Sequence, residues 1–297
     1  MTENPKAAKG TVFDLFHPVV ALAYFAAMLV LGMAALQPAY QAVSLAAALA
    51  LGVALRGWRA TARGLAWQLP LVAIVALANP LFSASGSTEL FRIGVRAFYL
   101  ESFAFGVCMG VMLASMLVTL ANASHVLTAD KVMALFGGVA PTIGLMLSMA
   151  ARLVPQFLRR GADAAGVQRA CTAARGSGGG GRAGRLRDNL RLTSVLMGWS
   201  MEDSLETADA MKARGWGAAP ARTTYARFRF RALDAAALAV LGALFLASAV
   251  AAWAACARFS FYPAIAGFSP WWNCLPFAVL AALPLALEAG ERARWRR

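Results

Sequence analysis

Two of the three Ala-Arg-Gly triplets in this chain carry its clearest chemical signal; the third, Ala62, Arg63 and Gly64, lies in the basic connection after the second apolar run. The first of the two is Ala174, Arg175 and Gly176, and the second is Ala213, Arg214 and Gly215. Glycine ends a helix abruptly because it accepts the left-handed conformation of the residue just past the last turn. Alanine keeps the helix end thin, so another surface can come close. The arginine is then presented at a tip, with a planar fork that matches a carboxylate through two parallel hydrogen bonds. One arginine at a helix C-terminus reads as a complement to the helix dipole, worth about 0.3–1 kcal/mol. Two tips of the same kind point further, to docking into two similar acidic pockets, as on a dimeric partner.

Other chemistries find little support. The four cysteines, Cys108, Cys171, Cys256 and Cys274, form no CxxC pair, and the two histidines, His17 and His125, are far apart without ligand-like neighbours. That spacing gives neither a zinc site nor a disulfide framework. The run from Gly176 to Gly181, GSGGGG, formally fits GxGxxG. A dinucleotide site needs a strand before it and a βαβ unit around it, and a P-loop needs Gly-Lys-Ser or Gly-Lys-Thr. Neither context is visible, so the run reads as a flexible loop between two helices. No His–Asp or Ser–Lys arrangement lies within an apolar segment; Glu101 stands alone at the outer end of one. The chain therefore reads as a non-enzyme with no cofactor and no metal.

The elements that carry the tips are set by composition. Of 297 residues 60% are hydrophobic and 14% are charged, and the net charge is +14. A soluble domain averages about 25% charged residues. The mean hydropathy of +0.61 agrees with an integral membrane protein. In such a chain excess positive charge belongs on cytoplasmic loops beside anionic lipid, which argues against nucleic acid as the partner. A spanning helix needs about 20 mostly apolar residues. Six runs qualify: 19–36, 39–55, 65–82, 98–120, 235–257 and 271–287. The tail with Lys6 and Lys9, the connection with Arg56, Arg59 and Arg63, the block from Arg152 to Arg231 and the C-terminal ERARWRR are all basic. Placing them together on the cytoplasmic side satisfies the positive-inside rule with an even number of spans. No signal-peptide cleavage site follows the first apolar run. The segment from Pro141 to Leu158 is apolar for too short a stretch before Arg152 to span, and is placed at the cytoplasmic face, partly embedded.

The expected architecture is an all-α integral membrane protein of about six transmembrane helices, within a range of 5–8, with a cytoplasmic coupling-helix module inserted before the last spans. Residues 1–18 form the N-terminal tail, 19–122 the first spans, 123–232 the module, 233–290 the last spans and 291–297 the basic tail. Within the module three helices are expected: about Pro155 to Arg175, Arg185 to Gly198, and one opening at a capping box of Ser200 and Asp203. In the second, Leu186, Leu190, Thr193 and Met197 share a face. In the third, Glu202, Asp203 and Glu206 would meet the positive end of the dipole, Lys212 and Arg214 the negative end, and Gly215 would be the terminating glycine.

These residues resemble the transmembrane T component of energy-coupling factor (ECF) transporters. The likeness rests on SLETADAMKARGWG (Ser204 to Gly217) and QRACTAARG (Gln168 to Gly176), similar to the family's two arginine motifs on long coupling helices. ANPLFSASGSTELF (Ala78 to Phe91), LMLSMAARLVP (Leu145 to Pro155) and TTYARFRFRALD (Thr223 to Asp234) also look like family segments. The glycine run after Arg175 departs from the pattern. The resemblance implies a multi-pass protein of the cell membrane with both termini cytoplasmic. Two cytosolic ABC ATPase subunits would receive Arg175 and Arg214 in carboxylate-bearing grooves. A small membrane S component holding a vitamin or metal ion would be gripped through small and apolar faces, for which Ser148, Ala150, Ala151, Leu190 and Met197 are the candidates. The alternative is a conventional ABC permease domain forming its own path, for which one dominant coupling helix per half is expected rather than two arginine-tipped ones. A basic membrane scaffold without energy coupling is a third reading.

Overall fold

The computed structural model of the protein describes residues 13, 16–82, 87–93, 96–128, 131–132, 134–135, 141–173, 182–218, 230–261, 267 and 270–294. The chain divides into two compact units: Met1–Val132 with Phe228–Arg297, and Met133–Arg227.

The first unit is the membrane unit. Its helices are α1 (Pro18–Ala34), α2 (Pro38–Arg56), α3 (Trp58–Phe82) and α4 (Leu100–Val126), then α7 (Ala232–Arg258) and α8 (Leu275–Arg294), which follows a 3-10 turn at Trp271–Cys274. Five of the six are long and apolar enough to cross a membrane, and α1 is an apolar helix of 17 residues. The protein is thus an all-α, multi-pass integral membrane protein. All six expected spans correspond to helices here. Prolines open α1 and α2, where the missing N–H costs nothing.

Two boundaries differ from the sequence reading. The basic connection RGWRATARG is mostly helix. Only Gly57, at φ 85°, separates α2 from α3, so Arg59 and Arg63 ride on the first turns of α3. Glycine is required there because that backbone conformation is strained for any side chain. The connection between α3 and α4 is not a plain loop: Glu89–Ile93 and Arg96–Tyr99 form an antiparallel hairpin. The buried carboxylate of Glu101 ties the start of that hairpin to α4, accepting from Thr88 Oγ1 at 2.6 Å, Ser87 Oγ at 3.0 Å and the Thr88 backbone N–H at 3.2 Å.

Helix α4 packs on α1, α2 and α3, while α1 also meets α7, α2 meets α8, and α7 meets α8. Phe25, Met28, Leu31, Tyr40, Leu51, Phe277 and Leu280 are among the buried core side chains. Van der Waals contact and small residues, rather than a hydrophobic force, bring helices together in lipid. That rule is visible between α3 and α4. A Cβ added at Gly106 would stand 2.8 Å from the Ala76 carbonyl oxygen, and one at Gly110 would stand 2.9 Å from Val72 Cγ1. Gly106 and Gly110 form a G-x-x-x-G pair, and their backbones lie directly against α3. Polar side chains close the remaining gaps. Asn79 Nδ2 donates to the Ser102 carbonyl at 2.8 Å, and the fully buried Asn122 donates to the Ala48 carbonyl at 2.8 Å. Asn122 Oδ1 in turn accepts from Arg56 Nη2 at 2.8 Å.

The second unit carries α5 (Pro141–Ala173) and α6 (Arg182–Ala213). Where three helices were expected, the described residues form two long ones. Residues 141–154 and the helix expected from Pro155 are continuous, with Pro155 inside α5. The second and third expected helices are also continuous through Gly198 and Ser200. Ser200 does not cap a helix; its hydroxyl donates to the Met197 carbonyl at 2.9 Å, the back-bonding that lets a serine sit mid-helix. Glu202, Asp203 and Glu206 are therefore in the middle of α6, away from the positive end of its dipole. Helix α5 is absent from the helices that meet the spanning criteria, in keeping with its short apolar stretch. None of the described residues of this unit is buried.

Candidate docking tip and its supporting helices

The second Ala-Arg-Gly triplet closes α6 in a complete Schellman motif. The Trp216 N–H donates to the Met211 carbonyl at 3.0 Å, and the Gly215 N–H donates to the Lys212 carbonyl at 3.0 Å. Gly215 has φ 78°, the left-handed conformation that this ending requires. Arg214 is then the C-cap residue, its N–H bonded to the Ala210 carbonyl at 3.2 Å. The helix stops and turns at the next residue, and Ala213, Arg214 and Gly215 are all exposed. Among the described residues no carboxylate stands within ion-pair distance of Arg214; the nearby Lys212 pairs loosely with Asp209 at 3.8 Å. The arginine fork is presented to whatever surface meets this end of the helix. The first triplet, Ala174, Arg175 and Gly176, lies outside the described residues.

The mid-helix acids do something other than cap. Asp203 pairs with Arg160 of α5 at 3.2 Å, both partly exposed, and Gln168 Nε2 of α5 donates to the Asp188 carbonyl of α6 at 3.2 Å. These contacts hold α5 and α6 against each other. Beside them Asp163, Trp199, Glu202 and Glu206 complete an open groove of about 390 Å³. An exposed ion pair of this kind is worth about 0–1 kcal/mol, so it orients the helices more than it stabilises them.

The residues expected to touch a second membrane protein are accessible. Ser148, Ala150 and Ala151 are exposed on α5, and Leu190 and Met197 on α6. The sequence reading chose small residues on α5 and missed larger ones. Ile143, Met146, Leu147, Val154 and Leu158 are also exposed, at the i, i+3, i+4 spacing of one helix face shared with Ala150 and Ala151. On α6, Leu186, Leu190, Met197 and Met201 are 61–70% exposed at similar spacing. That periodicity was legible and runs through both charged helices. Large apolar side chains in such numbers are exposed on two helices outside the candidate spans, the kind of surface that in general meets a protein partner or a membrane.

The return to the membrane unit is fixed by Asp234, which the sequence reading did not single out. Its buried carboxylate accepts the Arg231 N–H at 2.9 Å, closing the start of α7, and the His17 N–H at 2.9 Å, just ahead of α1. One anion thus holds the starts of two helices. The sequence signal was an acid in the first turn of an otherwise apolar helix. Comparison of the chain with protein-family models found no matching family, and comparison with curated proteins found no match.

Proposed function

We propose that the protein is the transmembrane energy-coupling subunit of an ECF-type ABC importer. In this reading it lies in the cell membrane with both termini cytoplasmic, docks two cytosolic ABC ATPase subunits through Arg175 and Arg214, and passes their motion to a small S component that binds a vitamin or a metal ion. The chain itself transmits force and catalyses nothing. The observation that carries the reading is the exposed Arg214 at the Schellman-terminated end of a 32-residue helix. A charge-assisted arginine–carboxylate pair in a partly desolvated groove costs about 2–5 kcal/mol when one partner is truncated, enough for a docking joint that must carry load. The apolar stripes of α5 and α6 supply a surface for the S component, and the small Ala150 and Ala151 allow close approach.

Affinity purification of the tagged full-length chain from its own membranes tests this. The expected result is co-purification of ABC ATPase subunits and of a separate small membrane protein that binds the substrate. A conventional permease domain would bring down the ATPases with no such small protein, and that outcome would replace the proposal.

A further inference from the structure

We propose that Asp234 makes the starts of α1 and α7 move as one body, so that motion arriving along the chain from the second unit enters the membrane unit through two helices. This rests on the energy-coupling function proposed above. The chain re-enters the membrane unit at Phe228, just before Arg231. A pull along it reaches α7 directly, by covalent connection. It reaches α1 across the Asp234 carboxylate, whose two oxygens are divided between two elements. Oδ2 accepts the Arg231 N–H and Oδ1 accepts the His17 N–H, both at 2.9 Å. Asp234 is buried, so water competes poorly for either bond. Hydrogen bonds to a carboxylate are also roughly twice as strong as those to a neutral acceptor. The rings of His17 and Phe230 add an edge contact, with centroids 5.6 Å apart.

Other links between the two helices are softer. Just beyond the joint an apolar groove of about 290 Å³ opens, with Val20 and Tyr24 of α1 and Ala237 and Val240 of α7 in its walls. The Tyr24 hydroxyl reaches α8 rather than α7, donating to the Ala281 carbonyl at 3.2 Å. At the far ends the Cys256 thiol, a weak donor, lies 4.0 Å from the Ala34 carbonyl oxygen. Apolar packing between helices yields by shear, a small sliding of one past the other. An anion bonded to two backbone N–H groups does not slide without breaking a bond. The stiffness between α1 and α7 is therefore concentrated at Asp234.

His17 allows a test at the level of one proton. Its φ is −59°, close to the angle a proline ring fixes, so His17→Pro suits the backbone and removes the N–H. His17→Ala removes the same side chain and keeps the N–H. The full-length chain, purified with its ATPase subunits into bilayer discs, is spin-labelled at Leu22 of α1 and Leu233 at the start of α7, both exposed. The native cysteines are replaced by serine. A second pair joins Leu233 to the exposed Leu120 of α4. Double electron–electron resonance reads both distances without nucleotide and with ATP and vanadate. In the wild type and in His17→Ala, nucleotide is expected to shift the Leu233–Leu120 distance and leave Leu22–Leu233 narrow and unchanged. In His17→Pro the Leu22–Leu233 distribution should become roughly two-fold broader, because the two helix starts can then shear independently, and should respond to nucleotide. A Leu22–Leu233 distance that stays narrow and fixed in His17→Pro would overturn the joint, as would one that already changes with nucleotide in the wild type. If the wild-type Leu233–Leu120 distance ignores nucleotide, the energy-coupling reading fails, and the nucleotide-free breadth in His17→Pro still decides on the joint. Should His17→Pro not insert, Asp234→Asn takes its place: an amide offers one acceptor oxygen where the carboxylate offers two, and the same broadening is expected.

Discussion

The two units of this chain spend their apolar residues in opposite ways. In the membrane unit Phe25, Tyr40, Phe277 and Leu280 are sealed among helices, and Asn122, Asp234 and Glu101 are buried with their hydrogen bonds satisfied by neighbours. In the unit of α5 and α6 none of the described residues is buried, and residues such as Leu158, Leu190 and Met201 lie open. The first unit packs a core of its own. The second is a pair of long helices that cannot bury a core alone, because two helices offer too little surface. Its apolar faces and its arginine tip are exposed, and the proposed function assigns them to other proteins.

If that contrast holds, substitutions in the membrane unit damage folding, whereas those in the helix pair damage association. The largest effect is expected from Gly106→Val. The added side chain would enter the space of the Ala76 carbonyl and Asn79, and overpacking at a backbone contact costs about 3 kcal/mol. Thermal unfolding of the purified protein in mild detergent measures it; an unchanged midpoint would mean α3 and α4 do not approach closely. Asp234→Ala comes next. It leaves two backbone N–H groups without their acceptor, at a cost of about 2–3 kcal/mol. Asp234→Asn should recover part of the loss, since it keeps an acceptor, and the same unfolding experiment reads both. Gly215→Ala is smaller, about 1 kcal/mol for forcing a Cβ into the left-handed conformation. It should loosen only the end of α6, seen as faster amide exchange over residues 211–216, with the membrane unit's unfolding midpoint unchanged.

How far the sequence disclosed this arrangement differs between the units for a physical reason. Helix spans in lipid need long apolar runs, so the five candidate spans and the shorter apolar α1 were visible as hydropathy. Gly215 was visible as a helix terminator because glycine before an aromatic, after Lys and Arg, has few other uses. Ser200 misled because serine both caps helices and back-bonds within them, and only the Met197 carbonyl decides which. Gly198 misled likewise, since an isolated glycine costs a helix about 1 kcal/mol without ending it. Asn122 and Asp234 were readable as residue types but not as joints, because their partners, Ala48 and His17, are far away in sequence. The exposed faces of α5 and α6 repeat every three or four residues, yet periodicity alone does not say whether a face is buried inside the chain or offered to another.

The central claim is that Arg214 is a docking point rather than a structural residue. Arg214→Glu, made in the full-length protein and expressed in its native membrane, separates the two. Its side chain is exposed, so the reversal should cost only the helix-dipole contribution, about 1–2 kcal/mol local to the end of α6, and the membrane unit's unfolding midpoint and membrane insertion should match the wild type. ATPase subunits should no longer co-purify, and substrate uptake should fall with them. Retention of wild-type ATPase association and uptake by a correctly inserted Arg214→Glu protein would contradict the account.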